Sequence, residues 1–260
     1  MNRKEEIQTQ WDRMAQRYQD FVGGEFSYSR MIELPAAAAI LEDLSGLQVL
    51  DAGCGSGHST FFLESLNPKS LLGIDLSPEM IALAEREKAQ RSSLAQFQVG
   101  DCETLESVPT QSVDVIFSST MTHYFTSLTP FFNACNRVLK LYGRLVISVI
   151  HPVYSAQYPL EISPEQLPAD EEWTVRYLDR RTRGYLQPWI EYTAGEKIKT
   201  TSFHHTYSDY FSALSNAGFQ LTELVEPEPP PAFQDRFPER YEAYRAIPTF
   251  ALLGMVKAIG

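Results

Sequence analysis

Between Gln48 and Ile150 the chain alternates short apolar runs with segments of helical period, three times over. That rhythm belongs to a parallel sheet covered by helices on both faces. Val49, Leu50 and Ala52 close on Gly53 and give way to a helical stretch from Ser59 to Leu66. The unit recurs as a strand at Ser70–Leu76, a helix at Pro78–Arg91 and a strand at Ala95–Val99. It recurs again as a strand at Val113–Ser118, a helix at Thr129–Lys140 and a strand at Arg144–Ile150. Ser77 is placed to cap the second helix, with Pro78 in its first turn. Farther on, a helix at Ser208–Ala217 stops at Gly218, a strand runs from Phe219 to Val225, the proline run Pro229–Pro231 stiffens the connection, and a last strand covers Thr249–Lys257. The expected fold class is α/β, with seven strands, mostly parallel.

Two helices precede the first strand. In Lys4–Val22 the residues Ile7, Trp11, Met14, Ala15, Tyr18 and Val22 recur every three or four positions and form one apolar stripe, ended by Gly23 and Gly24. A second helix is expected from Tyr28 to Leu44. After His151 and Pro152 the periodicity breaks for some fifty residues, a length of irregular chain that is usually functional. The expected organisation is therefore an N-terminal helical lid (1–46), a core (47–150), a substrate cap inserted after the fifth strand (151–207) and the remainder of the core (208–260). With 33 acidic and 22 basic side chains the net charge is −11, which repels nucleic acid and anionic lipid. No apolar run approaches the roughly 18 residues of a membrane span. The three cysteines, Cys54, Cys102 and Cys135, form neither a disulfide framework nor a zinc motif, and a reducing cytoplasm suits them.

The stretch Val49-Leu50-Asp51-Ala52-Gly53-Cys54-Gly55-Ser56-Gly57 puts a carboxylate at the end of a strand and glycines in the turn to a helix. Glycine there admits a ligand close to the backbone, and the free N–H groups of a helix start can hold an anion. Asp75 follows Gly55 by 20 residues, at the end of the second strand, where a carboxylate accepts hydrogen bonds from both ribose hydroxyls. A dinucleotide site prefers GxGxxG, but the sixth position is His58, and Asp51 would repel a pyrophosphate. That carboxylate suits a ligand with an ammonium group. Asp101 and Cys102 offer a polar edge for an adenine amino group, and Met80 a surface for its ring.

In combination, D-A-G-C-G-S-G, G-I-D-L-S, G-D-C, S-V-D-V-I-F-S-S, R-V-L-K-x-x-G-R-L and N-A-G-F resemble the class I S-adenosylmethionine-dependent methyltransferases, over about Trp11–Ile150 and again near Gly218. The segment W-D-x-x-A-x-x-Y, here Trp11, Asp12, Ala15 and Tyr18, is similar to the lid helix of small-molecule members of the quinone-biosynthesis type. The resemblance implies a Rossmann-like fold with S-adenosyl-L-methionine as cofactor. It implies Gly53 and Gly55 beside the methionine moiety, Asp75 on the ribose, Asp101 and Cys102 facing adenine, Ser118 beneath the cofactor and Tyr18 over it. Ala52, Cys54, Leu76 and Met80 join the same binding set. By their small size and positions Cys54 and Cys102 also read as simple fillers, and Trp11 and Tyr18 as core anchors.

The expected reaction is methyl transfer to an O or N atom of a small, apolar or aromatic acceptor, with carbon methylation of a quinone-like acceptor as the alternative. An NAD-binding oxidoreductase and a non-catalytic S-adenosylmethionine-binding protein are the readings from other classes. His123, after the fourth strand, is the first candidate general base, followed by His151 and His205; a hydrogen bond that shapes the pocket explains His123 equally well. Trp173, Tyr177 and Trp189, with Tyr185 and Tyr192, are candidates to line the acceptor cavity, or to serve as structural cover. The basic cluster Arg180, Arg181 and Arg183 suits either contact with an acidic substrate or, as such clusters more often do, a solvated turn. No metal site is expected, because the histidines lack ligand spacing.

Overall fold

Alternation along the central strands decides the layering. The computed structural model describes residues 2–22, 27–157, 175–180, 183–186 and 199–258. Its strands are β1 (Gln48–Ala52), β2 (Ser70–Asp75), β3 (Gln96–Val99), β4 (Val113–Ser119), β5 (Leu139–Ile150), β6 (Arg183–Leu186), β7 (Lys199–Ser202), β8 (Phe219–Val225) and β9 (Phe250–Lys257). Seven of them form one sheet in the order β3-β2-β1-β4-β5-β9-β8, while β6 and β7 pair separately. β1 to β5 are mutually parallel, and only β9 runs against its neighbours β5 and β8. This is the mostly parallel, seven-stranded α/β sheet that the alternation predicts.

Successive residues of each strand feed opposite faces. Leu50, Ile116, Leu145, Ile147 and Leu253 join one buried cluster, with Phe131, Phe132, Tyr210 and Leu214 from the covering helices. Val49, Val115, Phe117, Val146 and Leu252 join the other, with Leu34, Ala37, Leu41 and Leu63. The first face is covered by α5 (Thr129–Val138) and α7 (Tyr207–Asn216). The second is covered by α2 (Leu34–Leu41) and α3 (His58–Glu64). α1 (Arg3–Val22) lies on α4 (Pro78–Arg91), where Ala15 packs on Met80 and Leu83. α6 (Pro152–Ser155) is a single turn.

Several boundaries differ from expectation for identifiable reasons. The second N-terminal helix ends at Leu41, not Leu44, and opens with a π-helical turn, Ser29–Glu33. The third long helix stops at Val138, and Lys140 is already strand: its ammonium bonds Asp114 at 2.8 Å and Gln48 at 2.8 Å across the sheet. α7 starts at Tyr207, one residue before the expected Ser208, and is capped by Thr206 through a reciprocal bond with Asp209. The connection stiffened by Pro229–Pro231 contains α8 (Pro231–Arg236) and α9 (Pro238–Ala246), each with proline in its first turn. Phe233, Phe237 and Tyr244 from this pair surround Tyr28 with ring centroids 5.4 to 5.6 Å away, a contact between distant segments that helical period does not announce.

Candidate active site

A cavity of about 460 Å³ opens at the carboxyl ends of β1, β2 and β4, where open α/β sheets bind their ligands. The β1–α3 turn is wrapped onto the end of β2: the Gly53 and Cys54 N–H groups both donate to the Ile74 carbonyl, at 2.8 and 3.0 Å. Gly53 and Gly55 have φ of +80° and +53° and both line the cavity. A Cβ on Gly53 would stand 2.6 Å from Met121 Sδ, and one on Gly55 would meet the Tyr18 ring at 3.7 Å. The turn is thus a cradle that a side chain would fill.

Asp75 ends β2 and lines the same space. Its Oδ2 accepts from the Gly55 N–H at 2.8 Å and its Oδ1 from the Ser77 N–H at 2.9 Å. Two backbone donors fix the carboxylate while each oxygen keeps acceptor capacity toward the cavity. Burial pushes its pKa up, against those hydrogen bonds. Leu76, Met80, Asp101 and Cys102 line the cavity beside it. Lys4 Nζ from α1 lies 2.5 Å from Asp101 Oδ2. Trp11 and Tyr18 complete that wall edge to face, 5.3 Å apart, and Trp11 meets Tyr124 at 5.6 Å in the same manner.

Asp51, Ala52, Cys54 and Ser118 are fully or almost fully buried and do not line the cavity. Asp51 Oδ2 accepts from Ser59 at 2.7 Å and Thr60 at 2.6 Å, while Oδ1 is left without a partner. Burial raises this carboxyl to about 6. An orphaned acceptor two residues before the glycine cradle fits an ammonium-bearing ligand or a bridging water. The Cys54 and Cys102 thiols are pushed up by burial and contact carbonyls at 3.6 Å. Such thiols are inert fillers.

The candidate bases do not meet the cavity. His123 is 6% exposed, neither ring nitrogen has a hydrogen-bond partner, and burial holds it neutral with a pKa of about 3. His151 caps α6 by accepting from the Val153 N–H at 3.1 Å, and its other nitrogen bonds Glu226 at 2.7 Å. His205 Nε2 donates to the Phe125 carbonyl at 2.9 Å. Tyr177 turns instead toward α7, its hydroxyl accepting from the Tyr207 N–H at 3.1 Å. Trp173, Trp189 and Tyr192 lie outside the described residues, as does the Tyr185 side chain. The wall that sequence reasoning missed consists of Asn2, Arg3, Lys4 and Ile7 from the chain start, Glu103, and Ser119–Met121 with Tyr124–Thr126 after β4. The signal for Ser119 was the strand itself, which continues one residue past the expected end. No cluster of three or more metal-ligating side chains occurs among the described residues. No helix among them is long and apolar enough to cross a membrane.

Residues 50–147 match the family model described as a methyltransferase domain. An uncharacterized protein of Haemophilus influenzae is 27% identical over 223 residues, 83% of this chain and 84% of that protein. A ubiquinone biosynthesis O-methyltransferase of Xanthomonas oryzae is 29% identical over 143 residues; the match spans 55% of this chain and only 56% of that enzyme. Among solved structures, an S-adenosylmethionine-dependent methyltransferase from Mesorhizobium loti aligns with a TM-score of 0.68 at 26% identity, over 90% of this chain and 99% of that one. The strand order, the glycine cradle, the carboxylate ending β2 and these likenesses converge on the class I S-adenosylmethionine-dependent methyltransferases.

Proposed function

We propose that the chain transfers the cofactor's methyl group to an O or N atom of a small, apolar or aromatic acceptor. The observation that carries this reading is the composite wall of one cavity: Gly53, Gly55, Asp75 and Asp101 on one side, and Ile7, Trp11, Met121 and Phe125 on the other. The first set suits the cofactor's amino acid, ribose and adenine, and the second an apolar acceptor. α1 supplies Ile7 and Trp11 of the second set, so a lid role for residues 1–46 is consistent with its position. When bound, the cofactor supplies an electrophilic methyl and a thioether leaving group that needs no proton. The chain's own tasks are alignment, exclusion of water and removal of one acceptor proton. Asp75 would hold the ribose, Asp101 the adenine edge once released from Lys4, and Trp11, Tyr18 and Tyr124 would shield the reacting centre from solvent. The O-methyltransferase among the relatives supports an oxygen acceptor.

The test is calorimetric titration with S-adenosylhomocysteine, then mass spectrometry and NMR of products from a labelled-methyl donor with phenols and amines. Asp75→Asn should weaken binding at least about tenfold, since hydrogen bonds to a charged group contribute about 1.5–3 kcal/mol. Absence of binding by the wild-type chain, or a new carbon–methyl bond in the product, would overturn the proposal.

A further inference from the structure

Glu33 is a carboxylate in a place that burial alone disfavours. It ends the π-helical turn Ser29–Glu33, is 1% exposed, and pairs with no cation among the described residues. Short π segments inside helices frequently mark functional positions. Its Oε1 accepts from the Ser119 hydroxyl at 2.5 Å. Ser119 is the last residue of β4 and lines the cavity. The next residue, Thr120, also lines it and holds a φ of +45°, uncommon for a β-branched side chain and costly wherever the surrounding fold does not impose it. Its hydroxyl lies 3.5 Å from that of Ser119. Ser119, next to this strained residue, thus lines the cavity while its hydroxyl bonds a buried carboxylate.

We propose that Glu33, acting through the Ser119 hydroxyl, takes up the proton that the acceptor loses on methylation. The inference rests on the O- or N-transfer reading above. The acceptor O–H or N–H bond breaks and its proton passes to Ser119 Oγ, while the Ser119 proton passes to Glu33 Oε1. A bond forms between the acceptor atom and the methyl carbon, the carbon–sulfur bond breaks with its electron pair remaining on sulfur, and Glu33 ends as a neutral acid. One positive and one negative charge vanish together. Burial raises the Glu33 carboxyl above the usual carboxylate range, opposed by hydrogen bonds from Ser119 and Ser29, and Asp51 lies close enough to feel its charge. A carboxylate so placed becomes a better proton acceptor than one in water. Ser119 touches the cavity; Glu33 is a positioning residue and proton store behind it.

Two measurements test the assignment. First, carboxyl-¹³C NMR of glutamate-labelled protein, with the Glu33 signal identified by its absence in Glu33→Gln, should show a titration above the ordinary range that moves higher still in Ser119→Ala. A Glu33 that titrates like a surface glutamate, or does not respond to Ser119→Ala, overturns the proposal. Second, turnover of para-substituted phenols should fall about 10²- to 10⁴-fold in Glu33→Gln for weakly acidic phenols and hardly at all for 4-nitrophenol assayed at about pH 8.5, where it is largely ionised. KM and S-adenosylhomocysteine affinity should stay within about threefold, and Glu33→Asp should recover part of kcat. Equal losses across the phenol series mean that Glu33 is merely structural and overturn the proposal. If the wild-type chain binds S-adenosylhomocysteine yet methylates no phenol or amine, the acceptor reading fails, and the NMR titration still decides whether Ser119 and Glu33 share a proton path.

Discussion

Replacing Gly53 with alanine separates backbone strain from steric overlap in the cradle. Gly53 has φ of +80°, and its new Cβ would fall 2.6 Å from Met121 Sδ, 2.9 Å from Cγ and 3.0 Å from Cβ. A left-handed conformation costs an alanine about 1–2 kcal/mol. Displacing a packed side chain adds about 1–3 kcal/mol. Gly46 is the internal control, since its φ is +81° and nothing lies within 4 Å of a Cβ there. Gly46→Ala should therefore show the strain alone, lowering Tm by roughly 5 °C, and Gly53→Ala strain plus overlap, lowering it by roughly 10 °C, for a chain of this size. Because Met121 lines the cavity, Gly53→Ala should also weaken S-adenosylhomocysteine binding, whereas Gly46→Ala should leave it unchanged. Thermal melts and calorimetry on both variants, and on Gly53→Ala with Met121→Ala, complete a double-mutant cycle whose coupling should be about 1–3 kcal/mol in favour of the double variant. Equal losses from the two glycine substitutions, or a coupling near zero, would refute the argument.

Three further outcomes concern polar groups, two of them buried and one partly exposed. The Asp51 carboxyl titrates at about 6 instead of 3.8, so between those values the folded chain keeps a proton that the unfolded chain has released, and ligand-free stability falls as pH rises through that window. Melts from pH 4 to pH 7 should show the Tm of Asp51→Asn rising relative to wild type, and a constant difference would contradict the assignment. Thr122→Val removes the 2.8 Å partner of the buried Tyr210 hydroxyl and should cost about 1–3 kcal/mol in urea unfolding, most of it recovered by adding Tyr210→Phe. Lys4→Ala breaks the 2.5 Å contact with Asp101, whose side chains are 39% and 29% exposed. It should change stability by less than about 1 kcal/mol at low salt and by less at high salt.

The sheet and its cradle were legible because their signals are local. Near-continuous burial is written into the apolar runs of strands such as Val113–Ser119, the Ser77–Pro78 cap into two adjacent residues, and the glycine turn into one loop. Gly53, Gly55, Asp75 and Asp101 accordingly meet in one cavity. The aromatic packing of Tyr28 on Phe233 and Phe237 joins residues some 200 positions apart. No periodicity in either segment encodes it, and α8 and α9 went unread with it. His123 looked placed for catalysis because it follows β4, yet its ring is turned into the interior while Ser119, Met121 and Tyr124 line the cavity.

The amino-acid order by itself determined which segments are strands, where the glycines break them and which carboxylates end them, since those depend on backbone propensity and on burial that repeats every two or four residues. Only the tertiary structure decided which side chains share the cavity. The approach of α1 to α4, the end of β4 and the π-turn carrying Glu33 bring together residues far apart in the chain, and packing between distant surfaces settles such meetings.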